Sequence, residues 1–116
     1  MKIAIIVHKT TLDKCTGKGC LGAFFQREDA FAPYGPEARL VAFTHDGGAL
    51  DKKIERLKQL GVEVVHLSSC VRSRNPAYEA LARKLSENFA VVGYTHGSRQ
   101  GRTRAAICLP ARKHCE

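Results

Sequence analysis

The 116-residue chain has no tryptophan, one methionine and only five Phe and three Tyr. No apolar run approaches the roughly 20 residues that a membrane-spanning helix needs. The missing apolar run argues against a spanning helix, and an apolar share of 44% argues against a disordered or fibrous chain. The opening stretch Met1 to Val7 is too short for a signal-peptide core, and no small-residue cleavage site follows it, so a cytoplasmic location is expected. The chain has no internal repeat, no linker before about residue 97, and no paired carboxylates or nucleophile–base motif from which a reaction could be read. An odd count of five cysteines does not make a disulfide framework; in a reducing compartment it points to metal or redox chemistry.

The net charge of +8 is unevenly spread. Residues 97–116 hold five Arg/Lys against Glu116 alone, so +4 of the total sits in the last twenty residues. No aromatic residue interleaves Arg99, Arg102 and Arg104, and no nucleic-acid motif accompanies them. Residues 98–116 are therefore expected to be a solvated basic tail, and nucleic acid is not expected as a partner.

What the chain does contain is alternation. Ile3 to Val7 is a β-branched run of the kind buried on both sheet faces. Leu21, Phe24 and Phe25 share one helical face, and Pro33, Gly35 and Pro36 break the chain behind them. Arg39 to Thr44 reads as a second strand, Leu50 to Leu60 as a helix stopped by Gly61, and Val62 to Ser68 as a third strand. Tyr78, Leu81, Ala82 and Leu85 give the next helix its apolar face, and Phe89 to Tyr94 closes the set. Strands and helices at this spacing predict one α/β domain over residues 1–97. It would be a three-layer, flavodoxin-like fold with about three helices and a four-stranded parallel sheet in the order 2-1-3-4.

On that topology six side chains fall just past strand ends: His8, Cys15, Cys20, His45, Cys70 and His96. They would gather at the carboxyl edge of the sheet, where open α/β folds place ligands. The loop holding Cys15 and Cys20 would face Cys70 at the switch point between strands one and three, with His45 beside them. Cys15, Cys20, Cys70 and His45 form a Cys3His set, the donor chemistry of zinc. His8 and His96 are reserve ligands.

Two rival readings use the same loop. Cys20 opens the first helix, where unpaired N–H groups, the helix dipole, Lys14 and Lys18 all favour thiolate, so a redox cysteine with Cys15 or Cys70 as its resolving partner is the first. The second is an anion or nucleotide site. Gly17-Lys18-Gly19-Cys20-Leu21-Gly22 matches G-x-G-x-x-G, but nine residues after the strand is too far for a tight pyrophosphate turn. His66, inside strand three, reads as a hydrogen-bonded core residue, and Cys108 and Cys115 read as tail thiols.

Taken in order, Lys2 to Val7, Cys15-Thr16-Gly17-Lys18-Gly19-Cys20, Leu40 to Thr44 with Gly47-Gly48, Val65 to Cys70, and Thr95-His96-Gly97 resemble the CGGC-domain proteins of bacteria and archaea. The resemblance covers residues 1–97 and implies a small Cys/His-rich domain that binds zinc and has no defined reaction. The chain departs from it at the naming motif, where Thr44-His45-Asp46-Gly47-Gly48-Ala49 stands. His45 or Asp46 replaces the first cysteine, depending on register, and the second cysteine is absent. The cysteine and histidine expected near the third helix are replaced by Asn75-Pro76-Ala77. Fewer thiolates disfavour an iron–sulfur cluster relative to zinc.

Overall fold

The computed structural model describes residues 1–102 and 104–112; Cys115 lies outside them. The chain is mixed α/β. Four parallel strands, β1 (Lys2–Val7), β2 (Arg39–His45), β3 (Val64–Leu67) and β4 (Ala90–Val92), run in the order β2-β1-β3-β4. The sheet has five strands rather than four: β5 (Cys108–Leu109) adds antiparallel to β4, pairing Val91 with Leu109 and Val92 with Cys108. Among the described residues helices number four rather than three, α1 (Lys18–Gln26), α2 (Leu50–Leu60), α3 (Ser69–Arg74) and α4 (Tyr78–Leu85). The extra one is α3, six residues with Val71 as their one buried apolar side chain, too short to register as a periodic face.

β1 is an interior strand, and residues Ile3 to Val7 are buried on both sides of the sheet. Alternate residues feed different cores. Ala4 and Ile6 pack with Ile54, Leu57, Val71 and Leu81 from α2, α3 and α4. Ile3, Ile5 and Val7 pack with Phe24 of α1 and with Phe31 from the 3-10 turn at Asp29–Phe31. The sheet is thus covered on both faces, as parallel sheets require. α2 ends as its sequence suggests: Gly61 takes the left-handed conformation at φ 81° and its N–H caps Leu57 and Lys58.

The basic C-terminal stretch is attached to this body by specific bonds. Buried Arg72 donates to the carbonyls of Ser98 (2.9 Å) and Arg99 (3.1 Å), and Arg104 donates to Arg72 (2.6 Å) and Asn75 (2.8 Å). The buried Tyr78 hydroxyl donates to the Gly93 carbonyl (2.7 Å) and accepts the Ile107 N–H (3.0 Å). Replacing Tyr78 with phenylalanine leaves both groups without that partner and is expected to lower stability by about 1–3 kcal/mol. Urea unfolding would read the loss, with faster amide exchange at Ile107; an unchanged exchange rate there would show that the hydroxyl does not hold β5.

Candidate functional site: a thiol-lined cleft at the carboxyl edge

A cleft of ≈ 340 Å³ opens between the loop after β1 and the start of α3, lined in part by Cys15, Cys20, Cys70 and His96. Each sulfur arrives on a different segment. Cys15 follows the 3-10 turn at Thr11–Asp13, and its Sγ accepts the Gly17 N–H at 3.3 Å. Cys20 lies in the first turn of α1, buried, with Sγ 3.1 Å from the Thr95 hydroxyl. Cys70 is the second residue of α3; its Sγ accepts the His8 N–H at 3.3 Å and shares a hydrogen bond with the Ser68 hydroxyl. Ser68 also caps α3 by accepting from the Val71 N–H. The strand ends that the sequence places at one edge do bring these three cysteines to one cleft.

The charge state expected for Cys20 is reversed. Burial pushes its thiol above the ordinary value; the Thr95 hydroxyl offsets this only in part, and Cys70 and Cys15 add to the rise. The helix start favours thiolate, but removal from water outweighs it here. All four cysteines among the described residues, Cys15, Cys20, Cys70 and Cys108, are free thiols.

His45 and Asp46 stand elsewhere. His45 does not line the cleft; its Nδ1 accepts the Gly47 N–H at 3.0 Å, and its carbonyl accepts from Lys53 at 2.8 Å. Asp46 is occupied on both oxygens, by His8 Nδ1 and Asn75 Nδ2 on one and by the Lys9 N–H on the other, all at 2.8 Å. Burial alone would raise its pKa, but these three donors outweigh it and hold the carboxyl below its usual range. His8 is turned toward Asp46 by the same bond. His96, from the turn after β4, is the imidazole that does line the cleft.

The glycines of the G-x-G-x-x-G match have a packing explanation. A Cβ on Gly17 would meet the Phe43 ring at 2.9 Å, and one on Gly19 would meet His96 Nε2 at 2.9 Å. Both admit a side chain where a nucleotide site would admit a phosphate. His66 is the core residue its position suggests. Its Nδ1–H donates to the Tyr94 carbonyl (3.1 Å), so its Nε2 accepts from the Tyr34 hydroxyl (2.8 Å), with the Phe31 ring centroid 4.2 Å from its own.

A sequence profile of the CGGC domain matches residues 2–96. The chain belongs to the CGGC domain family. No curated protein and no solved structure matches it. In this CGGC domain Asp46 accepts from Asn75, so the segments around Gly47-Gly48 and Asn75-Pro76 meet in space. Among the described residues no group of three or more His, Cys, Asp or Glu side chains is close enough to hold a metal ion, and no helix is long and apolar enough to cross a membrane.

Proposed function

We propose that this CGGC domain binds a soft transition metal, zinc before others, through Cys15, Cys20 and Cys70. The observation that carries the reading is that three cysteines from separate segments open onto one cleft at the switch point of the sheet. Three sulfurs and the His96 imidazole are a donor set that suits zinc and not a hard cation. The fit is chemical rather than preassembled, so the loop carrying Cys15 has to close on the other two. A bound zinc would supply cross-linking between the β1 loop, α1 and α3; no reaction is assigned. His96 replaces His45 as the fourth ligand because it shares the cleft.

A second reading is supported by the same observation, three free thiols lining one cleft. Cys20 and either Cys15 or Cys70 would form a reversible disulfide, giving up two protons and two electrons to an oxidant such as a small-molecule disulfide.

One experiment separates the two. Reduced wild-type protein is expected to take up one zinc per chain in competition with a chromophoric chelator. Cys70→Ser should weaken uptake by more than the ~100-fold that loss of an outer-shell partner costs. No stoichiometric zinc in wild type would sink the metal reading. A Cys15–Cys20 or Cys20–Cys70 bond, mapped by mass spectrometry after mild oxidation, would then support the redox one.

A further inference from the structure

A second cavity of ≈ 300 Å³ adjoins the thiol cleft, lined by Thr10, Thr11, Lys14, Cys15 and Arg74. Thr11, Cys15 and Arg74 line both, so the two spaces share a wall. Neither contains an aspartate or glutamate. The ion pairs among the described residues, His8–Asp46, Lys58–Glu55, Arg83–Glu79 and Lys84–Asp51, all lie elsewhere, leaving Lys14 and Arg74 exposed and uncompensated beside the cleft. On the shared wall the Thr11 hydroxyl oxygen is buried with no hydrogen-bond partner among the described residues. An unpaired hydroxyl costs free energy that a ligand oxygen would recover after a rotation of its side chain.

We infer that this annex binds the oxyanion of a small molecule, a carboxylate or a phosphate, between Lys14 and Arg74, with the rest of the molecule reaching over Cys15 toward the thiols. Arg74 offers a planar fork suited to two oxygens of one anion, and Lys14 adds a mobile point charge. The site differs from the nucleotide loop considered for Gly17 to Gly22, because it uses side-chain cations rather than a helix start. The inference rests on the cleft being the functional site but not on its metal.

The test is calorimetric titration of the reduced protein, in the presence of chelator, with inorganic phosphate and separately with malonate. Chelator removes zinc, so failure here is distinct from failure of the metal reading. At least one anion is expected to bind saturably, with a dissociation constant of about 1 mM or below. Arg74→Gln or Lys14→Gln should weaken it about tenfold, the loss expected for one charge-assisted hydrogen bond. Arg83→Gln, at a guanidinium that pairs with Glu79 and lines neither cavity, should not. Which anion binds tells phosphate from carboxylate ligands, and the bound anion should slow alkylation of exposed Cys15. No saturable binding of either anion, or equal loss in the Arg74 and Arg83 variants, overturns the proposal.

Discussion

Gly93→Ala is expected to destabilise the domain by about 3–5 kcal/mol, the sum of an overpacked core position and the hydrogen bonds it disrupts. A Cβ at this position would fall on the Tyr78 hydroxyl and lie 2.6 Å from the carbonyl oxygen and 2.8 Å from the nitrogen of Ile107. Two of those three neighbours are backbone and cannot swing away. Relief requires either that Tyr78 release Gly93 and Ile107 or that the segment leading into β5 withdraw from β4. Such a loss is a large part of the 5–15 kcal/mol that ordinarily separates folded from unfolded states. Gly22→Ala is the opposite case. Nothing lies within 4 Å of a Cβ there, and the residue is inside α1, so alanine should stabilise by about 0.5–1 kcal/mol. Denaturant midpoints of the two variants should therefore move in opposite directions; a Gly93→Ala midpoint at the wild-type value would refute the close approach of β4 and the C-terminal stretch.

His66 predicts a marked acid sensitivity. Burial lowers its pKa from 6.5 to about 4, and the bond to the Tyr94 carbonyl only partly restores it. The unfolded chain takes up a proton on this ring below pH 6.5, whereas the folded chain takes it up only near pH 4. Its contribution is thus fully present above pH 6.5 and is lost as pH falls toward 4, by about 3 kcal/mol in all. Asp46 acts in a lower window. Its folded pKa is depressed below 3.8, so its stabilisation is lost only as the carboxylate protonates beneath that value. Urea unfolding of wild type and His66→Gln at pH 7, 5.5 and 4.5 isolates the histidine. The wild type should lose more stability than the variant over this range, and parallel losses would show that the ring is not held neutral by burial.

Much of this architecture is legible in the residues, and what is not has identifiable causes. The β-branched run Ile3 to Val7, the spacing of Leu50, Ile54 and Leu57, and Gly61 after them are strong local signals, and the parallel order of the first four strands follows from them. β5 carries little such signal, because it is two residues at the end of the short apolar run Ala105 to Leu109, and Tyr78, Arg72 and Arg104 hold the chain beside β4. Tertiary bonds made by residues about thirty positions away leave no periodicity to read. The same holds at the site. Sequence order puts His45 and His96 equally at a carboxyl edge, but β2 leads into α2, which packs on the face opposite α1. The turn after β4 instead bends toward α1, where the Thr95 carbonyl accepts from Ala30 and the Gly97 N–H donates to Asp29. Which face a loop turns to is a packing outcome. Burial likewise reverses the expected charge of Cys20, because removing the sulfur from water outweighs the pull of the helix start on a thiolate.

The unequal anchoring of the three thiols sets an order of events at the cleft. Cys20 belongs to the core formed with Ile5 and Phe24, and Cys70 packs against that core. Residues 8–16, which carry Cys15, include no residue that is buried as a whole, and of their apolar side chains only Leu12 packs against the core. Segments with few buried contacts open and rearrange at small free-energy cost, while core segments move only when the domain does. In the proposed metal site two sulfurs would therefore act as a fixed jaw and the third as a moving one. On the metal reading proposed above, a guest would meet Cys20 and Cys70 in place, and capture would be completed at the rate at which residues 8–16, six exposed and three half-buried, reorganise.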